Sequence, residues 1–105
     1  MGKQATIKLG NHTFGLSAIR EGIHSEETID FIARLTCDGK VLATVSNDGD
    51  GSATDYYPYN GVDMDYYRRI CEEVGKYVWI TCHDGTKFYH NLGTVADEIL
   101  CEILG

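Results

Sequence analysis

The sequence predicts an α+β domain: a mostly antiparallel sheet of five or six strands with two helices packed on one face. Three observations point there. Asp38-Gly39 and Asp84-Gly85 each separate two runs of alternating apolar and polar residues, a strong short-range sign of a hairpin. Two apolar stripes at helical spacing come late, at about 63–74 and 94–104. Twelve glycines against a single proline, Pro58, suit short turns between strands. At 105 residues, the chain fits one α+β domain spanning 1–105 with one modest core.

The elements follow in order. Ala5–Leu9 alternates, Gly10-Asn11 signals a turn, and His12–Ile19 resumes with Phe14, Leu16 and Ala18 on one side, so an N-terminal hairpin is expected. Arg20–Ser25 reads as a polar connection. Over 26–37, Phe31, Ala33, Leu35 and Cys37 alternate with Asp30, Ile32, Arg34 and Thr36, the period of a half-buried strand. Ser25 as a cap, with Ile29, Ile32 and Leu35 three apart, leaves a helix as the alternative. Val41–Ser46 returns from the Asp38-Gly39 turn with Val41, Ala43 and Val45 on one face. Tyr56–Tyr59 is a short strand interrupted by Pro58, which places it at a sheet edge.

Asp63 is suited to cap a helix in which Met64, Tyr67, Ile70, Cys71 and Val74 share a face, with Gly75 as its stop. Lys76–Cys82 and Lys87–His90 form a second hairpin, with Trp79 expected in the core. Thr94 and Asp97 resemble a capping box for a closing helix with Val95, Ala96, Ile99, Leu100 and Ile103 as its stripe.

The formal net charge of −7 and only nine Lys and Arg, scattered along the chain, argue against nucleic-acid binding, which needs clustered cations to displace counterions. An acidic surface favours basic partners or cations. No apolar run approaches the ~20 residues of a membrane span, so no membrane association is expected. Cys37, Cys71, Cys82 and Cys101 lack CxxC spacing, and 1–10 holds no apolar leader. They read as reduced, mostly buried thiols in a cytoplasmic protein.

Residues 46–57, SNDGDGSATDYY, carry the most chemistry. In the one workable calcium-loop register, Ser46, Asp48, Asp50, Ser52 and Thr54 take ligand positions and Gly51 the turn, but Tyr57 stands where a bidentate Glu belongs. The flank is strand-like where a calcium hand needs a helix. Three readings stay open. One is a sharp Asn/Asp/Gly turn without a ligand. Another is a calcium site held by Asp48, Asp50 and Asp55, the alternative to having no cofactor. The third is a recognition surface made of Asp48, Asp50, Asp55, Tyr56, Tyr57 and Tyr59. Between Asp48 and Tyr67 lie five acids and five tyrosines with no Lys or Arg, and aromatic faces beside carboxylates attract cations. The third reading predicts that Tyr56, Tyr57 and Tyr59 are at least partly exposed.

The stretch Val45-Ser46-Asn47-Asp48-Gly49-Asp50-Gly51, at the end of a strand after an Asp-Gly hairpin, resembles a pattern in small uncharacterised proteins of bacteria and their phages, loosely over residues 26–60. The resemblance implies a small intracellular accessory protein and carries no activity or catalytic residues.

Other constellations are weaker. Cys82-His83-Asp84 sits in a turn, and neighbours along a strand point to opposite faces, so adjacency does not make a triad. His83 and His90 flank the second hairpin without further zinc ligands at suitable spacing. Asp63 and Asp65 could pair for acid–base work, but Asp63 has a capping role. His12 and His24 have no neighbouring motif. Walker, GxGxxG, HExxH and GxSxG motifs are absent. The expectation is a non-enzymatic binding module for a protein or small basic ligand, with a phage or mobile element as one origin and a homodimer as one arrangement. The alternative is a metal-binding protein, or a small hydrolase using His83 and Asp84.

Overall fold

The computed structural model describes residues 5–22, 30–48 and 53–104. Five strands, β1 (Thr6–Leu9), β2 (His12–Gly22), β3 (Asp30–Cys37), β4 (Lys40–Asn47) and β5 (Asp55–Pro58), form one antiparallel sheet in chain order. Helix α1 (Met64–Val74) follows. Then come β6 (Val78–Thr81) and β7 (Lys87–Tyr89), which pair only with each other among the described residues. Helix α2 (Leu92–Leu104) closes the chain. This is the predicted α+β class, with the last hairpin standing apart from the main sheet.

One face of the sheet holds the core. Phe31, Ala33, Leu35 and Cys37 of β3 are buried while Ile32 and Arg34 are exposed, so the strand reading of this segment holds over 30–37. Its proposed start at 26–29 lies outside the described residues. Tyr67, Ile70 and Val74 of α1, and Leu92, Val95, Ala96, Ile99 and Leu100 of α2, join the same apolar cluster. Met64, expected in the stripe, is 41% exposed.

Two irregularities shift residues between faces. In β2 the register slips between Ser17 and Arg20, where Ala18 adopts φ 51°. The strand then continues to Gly22, so Arg20 belongs to the sheet and not to a connection. In β4, Leu35 opposes Ala43 while Thr36 opposes Val41, leaving Leu42 as the extra residue of a β-bulge. Leu42 is therefore buried beside Ala43, and Val41, expected on the core face, is only half-buried.

Local chemistry sets the turns and caps. Asp38 and Gly39 have φ 53° and 87°, the twist of a two-residue hairpin turn. Asp63 caps α1, its carboxylate accepting from the amides of Asp65 and Tyr66. The cap of α2 lies three residues before the expected one. Asn91 Oδ1 accepts from the Thr94 amide at 2.9 Å and Thr94 Oγ1 accepts from the Asn91 amide at 2.9 Å. Asp97, freed from capping, instead accepts a short hydrogen bond from the Thr54 hydroxyl. That clasps α2 to the chain entering β5. Burial pushes the Asp97 carboxyl up.

β5 is an edge strand, as Pro58 suggested. The Tyr59 amide donates to Leu42 O, so by alternation the amides of Tyr57 and Asp55 also face β4. Tyr56 and Pro58 face outward, and proline has no N–H to offer there. The edge is thus blunted against strand addition.

His90 is buried at the foot of the β6–β7 hairpin, its Nδ1 2.8 Å from Thr94 Oγ1. Burial pushes its pKa below the ordinary 6.5, opposed by Glu98 at 4.0 Å. The unfolded chain therefore takes up this proton first. Stability should fall as pH drops below about 6.5 and level off once the folded-state pKa is passed. Urea midpoints of His90→Gln between about pH 7 and pH 5 should show a flatter pH dependence than the parent.

Candidate functional site

The expected surface at 48–59 is only partly assembled. Asp50 lies outside the described residues, as do Gly49, Gly51 and Ser52, so the proposed calcium loop cannot be closed from the described residues. Asp48 and Asp55 are exposed. Asp48 lines a shallow groove with Arg20, Asp30, Ile32 and Ser46, which brings the Arg20 cation of β2 beside Asp30 and Asp48, ten and twenty-eight residues further along the chain. Tyr57 is 59% exposed and Tyr56 36%. Tyr59 is half-buried, its ring 5.4 Å from the Arg34 guanidinium. Tyr56 and Tyr57, adjacent on β5, point to opposite sides. Tyr67 is in the core, where burial pushes its hydroxyl up to about 12. The run of five tyrosines is therefore not one surface.

The second hairpin holds the largest departure from expectation. Trp79 is not core. It lies 37% exposed in a free two-stranded ribbon with Val78 (43%), Ile80 (43%), Phe88 (52%) and Tyr89 (51%). Trp79 is the extra residue where the β6–β7 register slips between Val78 and Ile80, which the alternation of 76–82 did not foretell. The Cys82-His83-Asp84 run is an exposed turn. Asp84 Oδ1 accepts from the Thr86 amide at 2.9 Å, and that bond holds its carboxyl below the usual range. His83 is exposed while His90 is buried, so the two do not make a ligand pair. Of the four free thiols, Cys37 is buried and Cys71 half-buried, whereas Cys82 and Cys101 are exposed.

A cluster that sequence spacing missed sits at the far end of the sheet. His12 opens β2, Cys37 ends β3 and Asp38 begins the turn into β4. Two backbone-level bonds lock them together. The Asp38 amide donates to Thr13 O at 2.8 Å, and the Thr13 amide donates to Asp38 Oδ1 at 2.9 Å. Asp38 Oδ2 then lies 2.7 Å from His12 Nδ1 and 3.8 Å from Cys37 Sγ. The His12 bond is the main cause holding the Asp38 carboxyl low, with the Thr13 amide next. Burial pushes the Cys37 thiol up, against a hydrogen bond with Tyr66 of α1. That same bond, with burial, raises Tyr66 to about 12. An open cleft of about 620 Å³ beside the cluster is lined by Cys37, Asp38, Val41, Val62, Tyr66 and Arg69, among others.

The chain matches no family model, no curated protein and no solved structure. The functional reading therefore rests on the geometry.

The His12 imidazole bonds Asp38 rather than the thiol, and Cys37 is shielded with a raised pKa. That is the wrong polarity for an activated nucleophile, which needs an adjacent base or a depressed pKa. No helix among the described residues is long and apolar enough to cross a membrane.

Proposed function

We propose that the protein is a non-enzymatic interaction module, and that its docking element is the β6–β7 ribbon, covered by a second copy of the chain. The observation that carries this is the exposure of Ile80 (43%) and Phe88 (52%), partners across the ribbon on one face, with Val78 and Tyr89, also partners, exposed on the other. Concentrated apolar exposure of this kind marks an interaction surface, and an isolated two-stranded ribbon is marginal in water. The ribbon carries little of the chain's charge, so two copies can meet there at small electrostatic cost. Residues 76–90 hold Lys76 and Lys87 against Asp84 alone, in a chain of net charge −7. Two ribbons meeting about a two-fold axis bury the same residues twice and keep the acidic remainders apart. The four free thiols suit a reducing compartment such as the cytoplasm.

Sedimentation equilibrium tests this. The parent should dimerise with a micromolar Kd, and Phe88→Ser with Ile80→Ser should weaken association at least tenfold, as loss of central apolar anchors does. The fold, read by circular dichroism, should be unchanged because both side chains are exposed. A parent that stays monomeric to hundreds of micromolar would refute the proposal.

A second contact is favoured by the exposure of Tyr57 next to Asp55 on β5. Asp48, Asp55 and Tyr57 would face a basic protein segment or a small basic ligand, with Tyr59 held in place by Arg34 and Tyr56 on the opposite side of β5.

A further inference from the structure

We propose that His12, Cys37 and Asp38 form a binding site for a single zinc-type divalent transition metal, independent of the interaction reading above. One ligand atom from each residue lies within 4.8 Å of the other two, the sole grouping of three such residues among those described. Imidazole nitrogen, thiolate sulfur and carboxylate oxygen all occur as zinc ligands, and the soft thiolate with the borderline imidazole disfavours calcium and magnesium, which take oxygen donors. Around a tetrahedral zinc such atoms stand about 3.4–3.6 Å apart. The Cys37–Asp38 separation of 3.8 Å is already close to this, and the His12–Asp38 separation of 2.7 Å must open by less than an ångström. His12 is partly exposed, with 28% of its side chain accessible, so a small rotation is open to it.

The surroundings fit the same role. All three ligands sit on strand ends joined by the Thr13–Asp38 bonds, a rigid base for a metal. The Tyr66 hydroxyl is placed to donate to the thiolate, the kind of outer partner that orients a ligand and tunes it. Metal binding would release the thiol proton to solvent, sulfur then bonding the metal in place of hydrogen. Three protein ligands leave a fourth position for water or an incoming donor, beside the cleft lined by Val41, Val62, Tyr66 and Arg69. Sequence inspection overlooks this site because its ligands come from positions 12, 37 and 38, without a metal-binding spacing.

The test uses the full chain carrying Cys82→Ser and Cys101→Ser, which removes both exposed thiols. After chelator treatment, cobalt(II) is titrated in and the thiolate-to-cobalt charge-transfer band is followed. One equivalent should saturate the band, and zinc should displace it. His12→Ala should weaken cobalt binding by more than the roughly 10–100-fold that loss of a mere outer partner costs, with an unchanged circular dichroism spectrum. Cys37→Ala should abolish the band. Zinc should raise the melting temperature of the His12 parent more than that of His12→Ala. Absence of a stoichiometric band, or a band indifferent to His12→Ala, overturns the proposal. So does a melting-temperature rise with calcium but not zinc, which would move the metal to the 46–57 loop.

Discussion

Leu42→Ala should lower the free energy of unfolding by about 2–5 kcal/mol, the range for deleting a fully buried leucine. Val41→Ala, one residue earlier, should cost about 1 kcal/mol or less, because Val41 is only half-buried and little apolar surface is lost. The contrast tests the β4 bulge. Simple alternation from Val45 and Ala43 puts Val41 inward and Leu42 outward, and would reverse the ranking. In the bulged strand Leu42 joins Phe14, Leu35 and Val45 at 0% exposure. Urea unfolding of both variants measures the two costs. Equal losses, or the larger loss at Val41, would mean that the β3–β4 register is wrong. Against a total stability of about 5–15 kcal/mol for a domain of this kind, Leu42→Ala removes a substantial share.

Gly93→Ala should cost about 3 kcal/mol, the upper part of the range for overpacking a filled site. Helix propensity alone gives the opposite sign, since alanine is favoured over glycine by about 1 kcal/mol inside a helix. The sign is decided by space. A Cβ on Gly93 would stand 2.5 Å from the Thr54 carbonyl oxygen and 3.0 Å from Asn91 Oδ1. The first is backbone that is itself held by the Thr54–Asp97 clasp, and the second is the cap of α2. Neither can move without loosening the helix or the entrance to β5. Gly75→Ala is the control. Gly75 has φ −66° and its nearest contact would be an ordinary 3.4 Å, so its stability should stay within about 0.5 kcal/mol of the parent or rise. Thermal melts should separate the two variants by more than about 10 °C, at 4–8 °C per kcal/mol for a domain of this size.

These two sites also mark where the sequence was and was not legible. The hairpin at Asp38-Gly39, the helix cap at Asp63, the edge position of Pro58 and the buried parity of β3 follow from local rules that act within a few residues. The misjudged features depend on contacts distant along the chain. Leu42 turns inward because β3 and β4 slip register. Trp79 is exposed because β6 pairs with β7 alone and slips register at that residue, and nothing in the run VWIT distinguishes such a ribbon from a central strand. The cap of α2 is Asn91, bonded reciprocally to Thr94, and Asp97 instead meets Thr54, forty-three residues away. The His12, Cys37 and Asp38 cluster is of the same kind: the residues meet only once β2 and β3 are in register. The one prior signal was the Asp38-Gly39 turn, which fixes Asp38 at the strand end but says nothing of His12.

Pro58 bears on what happens when the protein is concentrated. An open sheet edge that accepts one strand creates a new edge, and the process can run on into a polymer of unlimited length. Growth started at β5 meets a missing amide one step beyond Tyr56, and the chain reaction stops there. The proposed association through the β6–β7 ribbon about a two-fold axis would be closed in a different way, since it would use up its own surface. With β5 closed by Pro58, the sheet's other outer strand, β1, is the edge left for such growth among the described residues.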